Sequence, residues 1–154
     1  MQYSLKDLEQ LTGVAWATLR QWHARGYIHY DGEGSGVKGD PCTFTEEGVY
    51  RVMWLAQMRA HSISVEDALT LWEEHLLQQE QLLIVTEEGA TWVSPTLYEK
   101  KMKSLFEHHA AFFVVSLLHF YQRAEGRLEN FERVKKMRFK IGIPTVERSI
   151  AAVH

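Results

Sequence analysis

Glu107, His108 and His109 stand together, with His119 further along, and imidazole with carboxylate is a ligand set suited to zinc or iron. On a helix, however, adjacent histidines point about 100° apart, and no second ligand set at i, i+4 spacing joins them, so no metal site is expected. Cys42 is the single cysteine, which excludes an intrachain disulfide and any zinc or iron–sulfur site built from several thiolates of one chain. With only Lys38 nearby to favour a thiolate, it reads as a small loop residue rather than a sensor. No glycine-rich phosphate motif, nucleophile elbow or histidine with a sequence-fixed partner occurs, so neither an enzyme nor a cofactor is expected. Two surfaces remain. Phe106, Phe112, Phe113, Phe120 and Tyr121 form an aromatic stripe that suits packing in a core or between subunits, with a pocket for a small apolar effector as the sharper alternative. Arg133, Lys135, Lys136, Arg138 and Lys140 make a basic stretch, ordinarily a solvated helix face and alternatively a nucleic-acid contact.

The elements that must position these groups follow from caps and periodicity. At 154 residues, 45% hydrophobic and 24% charged, the chain has ordinary globular composition. Ser4 and Asp7 spell a capping-box variant ahead of Leu5, Leu8 and Leu11, which predicts a short helix broken at Gly13. Helical spacing resumes from Ala15 to Arg25 through Leu19 and Trp22, and Gly26 closes it. Tyr27 to Tyr30 has the content of a short strand, and the glycine-rich run Asp31 to Pro41 is expected to form a hairpin tip or wing. Thr45 starts a third helix with Val49, Val52, Met53, Leu55 and Met58 at a 3.6 period, and Ser64 with Asp67 caps a fourth running to about Gln81. Leu82 to Thr86 and Ala90 to Ser94 read as two short strands around Gly89, and Ser94-Pro95 opens another helix. That helix is expected to run on through Phe112 to Tyr121, where it is apolar on nearly every side and therefore buried, and to kink or end at Gly126. Gly142-Ile143-Pro144 is a stop, with a last helical turn from Thr145. The N-terminus lacks the apolar stretch of a signal peptide and no run is long enough to span a membrane, so a cytoplasmic protein without membrane contact is expected.

Tyr3-Ser4-Leu5, Asp7-Leu8, Leu11-Thr12-Gly13-Val14, Thr18-Leu19-Arg20 with Trp22, and Gly26-Tyr27-Ile28 are similar, in order and spacing, to the start of the MerR-family DNA-binding domain. Phe44-Thr45-Glu46-Glu47, Val49, Leu55, Arg59, Ser64, Val65 and Asp67 continue the likeness more weakly, so it covers roughly half the chain. The resemblance implies a recognition helix over residues 15 to 25, with Arg20 and Thr18 at DNA phosphate and sugar and Trp22 packed at the helix base. Trp16, Ala17, Gln21 and His23 are then the exposed positions for groove contacts. Glutamine can read adenine, and an indole or methyl can touch a thymine methyl. Arg25 and Lys38 are the further cations expected to face DNA. Where the family has an arginine two residues before the wing's closing aromatic, this chain has Cys42 ahead of Phe44, and Ser62 replaces the glycine expected after the third helix.

Charge opposes the DNA reading. Residues 1 to 75 hold six Lys and Arg (6, 20, 25, 38, 51, 59) against eleven Asp and Glu, hence −5, whereas residues 76 to 154 hold eleven against nine, hence +2. DNA affinity comes largely from cations that neutralise phosphate, so the grip must lean on few residues and on dimerisation. The resulting expectation is a mainly α protein: residues 1–81 a winged helix-turn-helix with a small β-wing, residues 82–154 a helical dimerisation or effector region. Its expected role is a transcription regulator that binds double-stranded DNA as a homodimer on a palindromic operator, with a small apolar effector or a protein as further partner. The alternatives are an adaptor that has lost DNA binding, as chaperone modulators resembling this family have, and a phage-type excisionase or packaging protein.

Overall fold

The computed structural model describes residues 1–75 and 81–141. The last residues of the expected fourth helix, 76–80, and the stop at Gly142-Ile143-Pro144 with its final turn lie outside the described residues, while Gln81, its expected end, is described and is not helical. The described chain is mainly helical, with one small antiparallel sheet.

Local signals shape the first elements. Helix α1 (Leu5–Thr12) starts at Ser4, whose hydroxyl accepts from the Asp7 N–H at 3.2 Å while the Asp7 carboxylate accepts from the Ser4 N–H at 2.8 Å. It stops at Gly13, which adopts a left-handed φ of 73° and donates its N–H to the Glu9 carbonyl. After Val14 and Ala15 the chain enters α2 (Trp16–Ala24). Helix α3 (Glu46–Ala60) is capped by Thr45, and α4 (Val65–His75) by Ser64, whose hydroxyl accepts from the Asp67 N–H at 3.1 Å.

Residues 27–30 do not form the expected strand. Between α2 and α3 the extended pairing is confined to isolated bridges, Tyr3 with Phe44 and Val37 with Asp40. The reason lies in where the aromatic side chains go. Tyr27 reaches Glu66 on α4, while Tyr30 packs between His23 and Phe44, so the two tyrosines are drawn to different neighbours.

The sheet lies in the second half instead. Strands β1 (Leu82–Thr86) and β2 (Gly89–Val93) fall where the sequence places them and pair antiparallel, Leu82 opposite Val93 through Thr86 opposite Gly89. Helix α5 (Pro95–His108) follows, with the Ser94 hydroxyl accepting from the Leu97 N–H. The continuous helix expected through Phe112 to Tyr121 is absent. Phe112–Ser116 form β3, antiparallel to β1, and only at Leu117 does α6 (Leu117–Ile141) begin; it then passes through Gly126 without ending. The strand order is β2-β1-β3. A run that is apolar all round suits a buried helix or a strand covered on both faces equally well, and here the second case holds. Phe113 and Val115 face the helical core, while Phe112 and Val114 pack with Leu105 of α5.

One buried cluster joins residues from Tyr3 to Leu128. Trp54 lies at its centre, fully buried, with its indole N–H donating to the Ala68 carbonyl at 2.9 Å and its ring against Trp72, Trp92 and Phe120. Helices α3, α4 and α6 and strand β2 therefore meet on one side chain. Farther along, α6 is tied to the N-terminus: the Tyr3 hydroxyl donates to Glu132, and Lys135 Nζ lies 3.2 Å from the Asp7 carboxylate. No helix among the described residues is long and apolar enough to cross a membrane.

Candidate nucleic-acid interface

Helix α2 is set on α1 by its apolar side and by one polar contact. Leu19 and Trp22, three residues apart, are buried at 0% and 4% exposure and bring that side against the core. Ala15 supplies no side-chain cap; the Trp16 N–H donates instead to Glu9 Oε1 at 2.9 Å. Glu9 thus does the work of an N-cap from the preceding helix. It also places a carboxylate at the helix N-terminus, where a phosphate would otherwise be favoured.

The opposite side of α2 carries Trp16, Ala17, Arg20 and Gln21, all exposed and one turn apart in pairs. Trp16 is 42% exposed, and the Arg20 guanidinium sits 4.7 Å from its ring centroid. Such stacking holds an arginine extended while its N–H donors remain in its plane, the form that binds phosphate bidentately. Arg20 makes no ion pair among the described residues. Thr18 is half-buried beside this face, and Trp22 faces the core, with Arg59 6.0 Å above its ring.

Two sequence-predicted positions stand differently. His23 is not on the open face: it is half-buried, its ring 4.5 Å from that of Tyr30, because the chain leaving α2 turns back and lays Tyr30 across it. Arg25 is exposed beside Tyr27 and near Glu66, and makes no ion pair among the described residues. The hydrogen bond to Glu66 pushes the Tyr27 phenol up, Arg25 partly offsets that rise, and the same bond with Tyr27 holds the Glu66 carboxyl below its usual range. An acid therefore lies near Arg25 without pairing to it.

Lys38 is exposed at the tip of the loop over residues 31–43, in a turn closed by the Asp40 N–H donating to the Val37 carbonyl at 2.9 Å. Polar bonds hold this loop. Asp31 accepts from the Thr45 N–H at 2.8 Å, and the Thr43 hydroxyl donates to the Glu33 carbonyl. Burial raises the Tyr30 phenol at the loop's base; the nearby Cys42 adds to the rise and Arg20 opposes it. Arg20, Arg25 and Lys38, the three predicted cations, make no ion pair among the described residues, and Arg25 has Glu66 nearby.

Glu9, Tyr30 and Glu66 shape this surface, and sequence reasoning did not single them out. The Glu9 contact spans seven residues across a turn and those of Tyr30 and Glu66 depend on the return path after Gly26, so no local rule marks them.

Elsewhere, His108 and His109 diverge: the first contacts the Ser104 carbonyl at 2.9 Å and the second Glu87 at 3.0 Å. No cluster of three or more His, Cys, Asp or Glu suited to a metal occurs among the described residues. Phe120 lies in the core with Tyr121 packed against it, whereas Phe112 and Phe113 border an open groove of about 940 Å³ between the α3–α4 turn and the end of the sheet. No protein-family model and no curated protein matches the chain.

Proposed function

We propose that the chain is a DNA-binding transcription regulator of the winged helix-turn-helix kind, working as a homodimer on a two-fold-symmetric duplex. One observation carries the reading. The open side of α2 presents Trp16, Ala17, Arg20 and Gln21 together, with Arg20 stacked and free of any ion pair among the described residues. Arg20 then takes phosphate, Gln21 and Ala17 face base edges, and Trp16 supplies an apolar flank to the sugar or a thymine methyl. Lys38 grips a second phosphate from the loop tip. Binding to random duplex DNA should be measurable at low salt and fall steeply as salt rises. Arg20→Ala should weaken all sequences alike and reduce the salt slope by about one. Absence of binding at low salt by the wild-type protein overturns the proposal.

A second reading, a protein-interaction adaptor on the same scaffold, is favoured by the carboxylate of Glu9 at the start of α2 and by the nearness of Glu66 to Arg25. Glu9→Gln distinguishes the two. If the surface meets DNA, removing that charge should tighten duplex binding; an adaptor shows no duplex binding in either form.

A further inference from the structure

We infer that β3 is the subunit interface: two copies pair their β3 strands antiparallel about a two-fold axis, making one six-stranded sheet. The inference specifies the dimer contact in the regulator reading, but its argument does not depend on DNA binding.

Among the described residues strand β3 is an edge, paired with β1 alone. Hydrogen bonding in antiparallel pairs alternates along the strand, and the phase is known here. The Leu117 N–H donates to the Gln81 carbonyl as the next rung of the β1–β3 register. Val115 and Phe113 are accordingly the residues that bond to β1, and the main-chain groups of Phe112 and Val114 point away from the sheet. An edge strand left open in a monomer is usually blunted by a charge, a proline or a bulge. Phe112-Phe113-Val114-Val115-Ser116 has none of these, and its pairing with β1 is unbroken over five residues. The other edge, β2, begins at Gly89 with φ 137°, which weakens it as a template for strand addition.

The apolar surface beside β3 points the same way. Phe106 on α5 is 70% exposed and stands edge-on to Phe112 at 5.2 Å; Met102, one turn earlier on α5, is 39% exposed. An apolar strip thus continues directly from the open strand edge. A second copy suits it because antiparallel pairing of a strand with itself is symmetric: with Val114 on the axis, Phe112 meets Ser116 of the other copy, and each copy's Phe106 side is covered by the same operation.

Sedimentation equilibrium of the full chain without DNA tests this, together with amide exchange at low and high protein concentration. A dimer is expected, with protection at the Phe112 and Val114 amides rising with concentration. Phe106→Lys, at an exposed site, and Val114→Pro, which removes an outward N–H where an edge strand tolerates proline, should each raise the dimer dissociation constant about tenfold or more. Met137→Glu, on the exposed far part of α6, should leave it unchanged. Circular dichroism checks that the variants fold, and Phe106→Lys alone suffices if Val114→Pro does not. A monomeric wild type, concentration-independent exchange at Phe112 and Val114, or a dimer lost in Met137→Glu and kept in Phe106→Lys overturns the inference. Failure of DNA binding with the dimer intact overturns only the regulator reading.

Discussion

The loop over residues 31–43 and the sheet of β1, β2 and β3 both bridge helical parts of the molecule, and they are held by opposite means. The loop contributes almost nothing to the core. Its shape depends on Asp31 capping the start of α3, Thr43 and Gln2 bridging its ends, and Asp40 bonding the Ser35 N–H at 2.9 Å across its tip. The sheet has few polar side-chain contacts, and its strands hold because both faces are covered, by Trp54 and its neighbours on one side and by Leu105 on the other. A surface that meets a charged partner can use a loop fixed by exposed polar bonds, whereas a sheet that fixes a long helix must be packed. Sensitivity to mutation should divide in the same way.

The largest effect is expected on the sheet side. Trp54→Ala removes the side chain on which α3, α4, α6 and β2 converge and should cost about 3–5 kcal/mol in urea unfolding; a loss below about 1 kcal/mol would show that the sheet is not packed on the helices as described. Next comes the loop's tightest backbone position. Gly34 has φ 123°, and an added Cβ would lie 2.1 Å from the Pro41 carbonyl oxygen, so Gly34→Ala should cost about 1–3 kcal/mol and speed proteolysis within the loop. If it destabilises as much as Trp54→Ala, the loop is part of the core and the contrast fails. Asp31→Ala should cost about 1 kcal/mol through loss of its bonds to Thr45. It should leave the Trp54 fluorescence environment unchanged.

The smallest effect is one of pH. Bonds from Ser35 hold the Asp40 carboxyl below its usual range. Its contribution is therefore present above about pH 4 and fades as pH falls through the lower, folded-state value. Asp40→Asn should flatten the acid limb of stability slightly, seen as a smaller drop in urea midpoint between neutral and acid pH. An unchanged limb would show that the loop tip is not held by this carboxylate.

The two regions also differ in how far they could be read beforehand. Ser4 with Asp7, Gly13, Thr45, Ser64 and Ser94-Pro95 mark helix ends through bonds within a few residues, so α1 to α5 begin near where the sequence places them. Leu82 to Thr86 and the residues after Gly89 announce a hairpin for the same local reason. Phe112 to Ser116 could not be assigned locally, because a helix buried all round and a strand covered on both faces leave the same apolar string. Within the interface, the open side of α2 follows from helical spacing, but the closing of its N-terminus by Glu9, the withdrawal of His23 under Tyr30 and the nearness of Glu66 to Arg25 do not.

The sequence by itself determined the helical caps, the α1–α2 pair and its exposed face, and the hairpin around Gly89, since each depends on groups a few residues apart. Tertiary structure alone decided that β3 pairs with β1, that residues 27–30 go to side-chain contacts instead of a ladder, and that Arg25 comes to lie near Glu66. Those outcomes depend on which distant groups arrive alongside, and contacts between residues far apart in the chain leave no spacing to read.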